Sequence, residues 1–176
     1  MVDCVFTDVE FIGSFDGYYI GGSDFTGAKG VKIVPSKLFD RCLDSVKLNG
    51  AVILGSLDGV YIEGTDFTGS VGVKINPQTI KYKCLSRCNF CNVEFIAPFD
   101  GCSILGSSFA GSEGAKINPQ TIMNKNLSDT NCMDVEFVGS FNGVNLKGAH
   151  LEGSNYGEFE LSEDNFRTRL KKLIKR

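Results

Sequence analysis

The 176-residue chain has no tryptophan, a single histidine and only four prolines. His150 stands without a neighbouring carboxylate in its own turn, so no Ser/His/Asp or Cys/His constellation for nucleophilic catalysis can be assembled around it. No apolar run approaches the ~18 residues of a membrane span, and MVDCVFTDVEF lacks the basic-then-apolar start of a secretory signal. The seven cysteines are odd in number and irregular in spacing, which argues against a disulfide framework and for a reducing, cytosolic compartment. Acidic residues are missing from the end. The last ten residues, RTRLKKLIKR, are without Asp or Glu, whereas residues 1–166 carry 12 basic residues against 21 acidic ones.

What is abundant is phenylalanine, with 14, and glycine, with 21, and both are ordered by repetition. GSVGVKINPQTI at residues 69–80 returns as GSEGAKINPQTI at 111–122, a shift of 42. The same shift aligns GSFDG (13–17), GSLDG (55–59), APFDG (97–101) and GSFNG (139–143) without a gap. Stacking the copies gives eight apolar columns, among them Phe11/Ile53/Phe95/Phe137, Phe25/Phe67/Phe109/Leu151 and Ile33/Ile75/Ile117/Phe159. From Ile75 the steps between columns run 5, 5, 5, 5, 4, 5, 5 and 8. A helical repeat would step by 3 and 4, and long strands would alternate by 2; neither fits. A hexapeptide solenoid needs steps of 6, which do not occur.

A period near five, with a small residue two places before each large one, resembles the pentapeptide-repeat family. The stretches that carry it are FTDVEF, SDFTGA, TDFTGS, SSFAGS and NLKGAHLEGS. The resemblance implies an all-β fold: a right-handed, four-sided parallel β-solenoid of residues 1–161, with two coils in each 42-residue repeat. The three-residue excess at the step of 8 is expected to form a bulging corner. In NPQTIKYKCL the small positions hold Gln78/Gln120 and Arg41/Lys83/Lys125, so that side is expected to leave regular geometry. Residues 162–176 read as a C-terminal capping α-helix, with Ser162 as N-cap, acidic residues in the first turn and Phe166, Leu170, Leu173 and Ile174 on one face. The first coil shows no such cap, which points to a homodimer through that end, a partner, or a missing upstream segment.

Three motifs invite chemistry. CLSRCNFC (84–91) has the CxxxCxxC spacing of radical enzymes that hold an iron–sulfur cluster. However, the repeat turns Cys88 inward and Cys84 and Cys91 outward, so the thiols do not converge on a cluster, and no second pair supports zinc. Cys42 and Cys84 share an outward column too widely spaced for a disulfide. The Asp-Gly pairs at 16–17, 58–59 and 100–101 lack calcium-loop spacing and read as turns. The Gly-rich GSVGVK has no GK[ST] of a phosphate loop. No cofactor or metal follows, and the chain reads as a non-enzyme.

The remaining signal is charge. One side is expected to carry Glu10/Glu94/Glu136, Asp8/Asp134, Asp16/Asp58/Asp100 and Asp24/Asp66, and the other Lys32/Lys74/Lys116 and Arg41/Lys83/Lys125. Such a rod offers oriented electrostatics to a protein partner, with the basic ladder as first candidate site and the acidic face (Glu10, Asp16, Asp58, Glu94, Asp100, Glu136) as the alternative. The family resemblance gives that alternative a form, a DNA mimic that inhibits an enzyme such as gyrase. Direct nucleic-acid binding and membrane association are not expected.

Overall fold

A computed structural model describes residues 1–156; the expected helix at 162–176 and the solenoid boundary at 161 lie outside the described residues. Regular elements are very short. The strands β1 (Lys32–Ile33), β2 (Val52–Ile53), β3 (Lys74–Ile75), β4 (Glu94–Phe95), β5 (Lys116–Ile117) and β6 (Glu136–Phe137) pair in parallel as β1–β2, β3–β4 and β5–β6. Around them runs a series of isolated parallel bridges, and their offsets reveal the architecture. Val5, Asp24, Lys47, Asp66, Asn89, Ser108, Asn131 and His150 bridge in succession. Their sequence separations alternate between 19 and 23, which together make one 42-residue repeat. The chain is therefore a parallel β-solenoid in which each coil lies directly on the one before it.

The five-residue steps place one large residue on each of four walls per coil. Wall 1 stacks Phe6, Phe25, Leu48, Phe67, Phe90, Phe109, Cys132 and Leu151; from Phe25 onward every one is buried. Its rings lie close, with centroids 5.0 Å apart for Phe6–Phe25 and 5.2 Å for Phe90–Phe109. Wall 2 stacks Phe11, Ile33, Ile53, Ile75, Phe95, Ile117 and Phe137, wall 3 runs from Phe15 to Phe141, and wall 4 from Ile20 to Leu146. Parallel stacking of this kind buries apolar area continuously along the rod, so each coil is stabilised by its neighbours. On walls 1 and 2 the residues two places earlier also point inward, which is why they must be small. Where they are polar they are satisfied: Thr65 Oγ1 donates to the Leu43 carbonyl at 2.6 Å and Ser107 Oγ to that of Leu85 at 2.6 Å.

The three-residue excess is not at a corner. The corner is the turn at 26–27, and the excess lies within wall 2. Lys29 bridges back to Glu10, whereas Lys32 pairs forward with Val52; Val71/Lys74 and Glu113/Lys116 divide the pairing in the same way. This is a β-bulge that hands the ladder from the coil below to the coil above. Gly30 and Gly114 make it possible. Both have left-handed φ, of 70° and 69°, and an added Cβ would meet the carbonyl oxygens of Phe11 and Phe95 at 2.5 Å.

Wall 3 departs from regular geometry, as its residues imply. The 3₁₀ turns Phe39–Arg41, Lys81–Lys83 and Met123–Lys125 occupy its far edge. Each contains two successive non-glycine residues with left-handed φ, such as Tyr82 (59°) and Lys83 (49°), a conformation that stores strain.

Candidate interaction surface

The two charge ladders do not occupy opposite sides. The parallel register β3–β4 sets Lys74 opposite Glu94 and β5–β6 sets Lys116 opposite Glu136. The side chains close into ion pairs at 2.7 and 2.9 Å. On other walls Lys37 pairs with Asp16 at 3.0 Å and Lys47 with Asp24 at 2.8 Å. Acidic and basic residues are thus interleaved, which corrects the expected split. The sequence shows which residues point outward but not which neighbours the coil offset of 19, 20 or 23 brings together.

Four of the expected acidic and basic residues have internal duties. Lys83 Nζ donates to Gln78 Oε1 at 2.7 Å and to the Asp100 carbonyl at 3.3 Å, and Gln78 Nε2 donates to the carbonyls of Pro98 and Asp100 at 2.9 and 3.0 Å. Gln120 repeats this with Ser140, Asn142 and Lys125. Among the described residues no backbone bond joins wall 3 at these two junctions, so the glutamine amides strap the coils there. Asp58 and Asp100 accept from the hydroxyls of Thr79 and Thr121 in the following coil. The bond from Thr79, with one from Ser56, holds the Asp58 carboxyl below the usual carboxylate range. Hydrogen bonds from Lys47 and Thr26 lower Asp24 to about 2. Glu10, Lys32 and Arg41 form no ion pair among the described residues.

The thiols are distributed around the wall. Cys88 lies inside, its Sγ 2.9 Å from the Ile62 carbonyl oxygen, and burial pushes its pKa up strongly. Cys84 is half-buried beside Glu63, with Sγ 3.5 Å from Oε2, and desolvation raises it too. Cys91 is half-buried near Gly111. Burial likewise raises Cys102 to about 11 and Cys132 to about 12. Cys42, expected to face outward, is buried instead, because Tyr19 of the coil below folds over it with its hydroxyl 3.8 Å from Sγ. Among the described residues no group of three or more His, Cys, Asp or Glu side chains is placed to hold a metal, and His150 is an exposed rung of wall 1.

One outward column stands apart, and the sequence reading passed over it. Ile12, Leu54, Ile96 and Val138 recur every 42 residues at the edge between walls 2 and 3, directly after the wall 2 strand position. They are 97%, 44%, 59% and 42% exposed. Among the described residues this is the one exposed column that is apolar in all four copies. The signal was present in the alignment. Its place directly after the inward Phe11/Ile53/Phe95/Phe137 column hides it there.

A second cluster breaks the repeat. Tyr18, Phe39 and Tyr82 are exposed on coils 1 to 4; Tyr82 packs edge-on against Tyr61 at 5.9 Å, with Lys81 over its ring at 5.5 Å. Tyr61 donates to Glu63, which also pairs with Arg87 at 3.2 Å.

No protein-family model and no curated protein matches this sequence. Among solved structures the chain is similar to HetL, a pentapeptide repeat protein involved in heterocyst differentiation regulation from the cyanobacterium Nostoc sp. strain PCC 7120. The identity is 13%, covering 88% of this chain and 84% of that one, with a TM-score of 0.32. It is also similar to QnrB1, a plasmid-mediated fluoroquinolone resistance protein, at 15% identity over 97% of both chains with a TM-score of 0.31. Likeness at this level carries no statement about activity. The solenoid assignment rests on the ladder itself.

Proposed function

We propose that the protein is a non-catalytic scaffold whose rigid rod presents repeated surfaces to a protein partner. The observation that carries this reading is the unbroken wall 1 ladder, which fixes outward side chains at regular intervals while the interior is filled by apolar residues. A rigid, repeated surface loses little conformational entropy on binding. The basic residues Lys32, Lys74, Lys116, Arg41, Lys83 and Lys125 remain part of this proposal as a contact surface. Lys32 and Arg41 are its most available members, since the other four hold internal partners. Self-association through the first coil belongs to the same reading: Phe6 and Phe11 are half-buried there, and Val2 and Val5 are exposed.

The test is capture of a partner from native extract on immobilised protein, followed by competition with free protein. Saturable, competable capture supports the scaffold reading, and its absence overturns it. Sedimentation equilibrium of the Val5→Asp variant beside the parent checks the first coil. The DNA-mimic alternative has less support, because Asp16, Asp24, Glu94 and Glu136 are neutralised by lysines. Inhibition of supercoiling by purified protein would reinstate it.

A further inference from the structure

We infer that the column Ile12/Leu54/Ile96/Val138 is the docking line for an amphipathic helix of a partner protein, one with apolar residues at heptad spacing and Lys or Arg along one flank. The inference rests on the scaffold reading and names the surface and the chemistry of what it binds.

Three observations lead there. The first is retention: a fully outward position has stayed Ile, Leu, Ile and Val through four copies, while the outward position two residues earlier reads Glu10, Val52, Glu94, Glu136. The backbone does not demand it, since two of the three intervening coils place Asn76 and Asn118 at the matching edge, the first placing Val34. The second is spacing. Successive members are two coils apart, about 9.6 Å at ~4.8 Å per rung, and seven residues of helix rise about 10.5 Å. Over three steps the two series diverge by only about 3 Å. An extended peptide, at about 6.6 Å per same-face pair of residues, falls out of step within one repeat.

The third observation is charge. On the wall 2 side Lys74 and Lys116 cancel Glu94 and Glu136. On the wall 3 side the exposed carboxylates of Asp58 and Asp100 accept from hydroxyls and find no ion pair among the described residues, Lys83 Nζ reaching only the Asp100 carbonyl; the other two copies are Asp16, paired with Lys37, and Asn142. From Leu54 to Val138 the line therefore carries exposed apolar residues on alternate coils, with Asn76 and Asn118 between them, a wall 2 flank neutralised at Glu94 and Glu136, and a wall 3 flank acidic at Asp58 and Asp100. A helix with leucines in heptads and lysines on one side complements all three strips. An acidic helix meets repulsion from Asp58 and Asp100.

The experiment uses the full chain and three synthetic helical peptides of equal length. The first has leucine at heptad spacing with a lysine flank, the second the same composition scrambled, and the third glutamate in place of the lysines. Binding is followed by fluorescence anisotropy. The first peptide should bind saturably. Replacing Ile12, Leu54, Ile96 and Val138 together by Ser should weaken it by roughly tenfold or more, with the circular dichroism spectrum unchanged, and Asp58→Asn with Asp100→Asn should weaken it less and flatten its salt dependence. Equal binding of the scrambled peptide, undiminished binding to the Ser variant, or no binding of the first peptide overturns the inference. A fall in sedimentation mass of the protein alone on the Ser substitutions also overturns it, in favour of a second copy. Extract capture separates the two readings: capture that survives the Ser substitutions leaves the scaffold standing and removes this line from it.

Discussion

Walls 1 and 3 are built from the same chain at the same step, yet they are held together differently. On wall 1 every junction between coils carries backbone bonds, for example Phe67 N–H to the Asn89 carbonyl at 2.9 Å and Asn89 N–H to that of Thr65 at 3.0 Å. On wall 3 backbone bonds join coils within a repeat, such as Gly59 N–H to the Thr79 carbonyl at 2.8 Å. Between repeats, glutamine side chains do that work. A backbone ladder is indifferent to side chains, so wall 1 tolerates Asp, Lys, Asn, Ser or His on its outer surface. A strap made by a side chain ties the sequence to the structure, and wall 3 is where the twice-printed INPQTI lies. The repetition of that text is therefore structural.

The largest effect should come from breaking wall 1 from inside. Phe67→Ala removes a fully buried ring between Leu48 and Phe90, and a Phe-to-Ala cavity of this kind costs ~3–5 kcal/mol. Urea titration followed by circular dichroism should show the loss, and Leu57→Ala on wall 3 should cost about 2–5 kcal/mol.

The inward columns were legible from sequence because a five-residue step leaves each large residue a single wall on which to be buried. The departure of NPQTIKYKCL was legible for the same reason, since Gln78 and Lys83 are too long and polar for a small inward position. Three other features were not. The excess residues near Gly30 fold into wall 2 and not into a corner loop, because a left-handed glycine can pass the Phe11 carbonyl. Lys74 meets Glu94 because the bulge shortens one offset to 20 while wall 1 keeps 19 and 23. Cys42 is covered by Tyr19, a contact between coils that no column position encodes.

A middle-sized effect should follow from cutting a strap. Gln78→Ala removes two donated bonds and one accepted from Lys83. At ~0.5–1.5 kcal/mol net per bond, and with the site partly exposed, the loss should be about 1–2 kcal/mol. Lys83→Ala should cost less, and the double variant less than the sum, because the two share one bond. The first repeat offers the converse, since Ser36 stands where Gln78 and Gln120 stand later. Ser36→Gln should raise the urea midpoint slightly; a lower midpoint would show that the strap needs more than its glutamine.

On wall 1 the outer rungs should respond to pH. The folded Asp24 carboxyl titrates near 2, held down by Lys47, whereas an unfolded aspartate titrates at about 3.9. A depressed carboxylate contributes stability above the unfolded value and loses it as pH falls toward the folded one. Asp24→Asn should therefore lower the urea midpoint at pH 7 by a small amount, and the difference from the parent should vanish by about pH 2. A difference that persists at low pH would show that the substitution acts by a route other than charge, since asparagine can still accept the bond that Thr26 N–H donates.

The smallest effect on stability belongs to the wall 2 ion pairs. Lys74 and Lys116 are about two-thirds exposed, at 64% and 61%, and exposed pairs contribute ~0–1 kcal/mol. Lys74→Ala with Lys116→Ala should therefore leave the urea midpoint almost unchanged, while Lys83→Ala with Lys125→Ala should lower it. Four lysines that look equivalent in the alignment are thereby divided into two on the surface and two in the frame. The division matters for function, because loss of partner capture in the first pair reports on contact, whereas loss in the second can follow from a loosened wall 3. Removing Lys74 and Lys116 also uncovers Glu94 and Glu136 beside Ile96 and Val138, making both flanks of the apolar line acidic. A basic amphipathic helix should then bind more tightly to the double variant than to the parent, and weaker binding would place the lysines themselves in the contact.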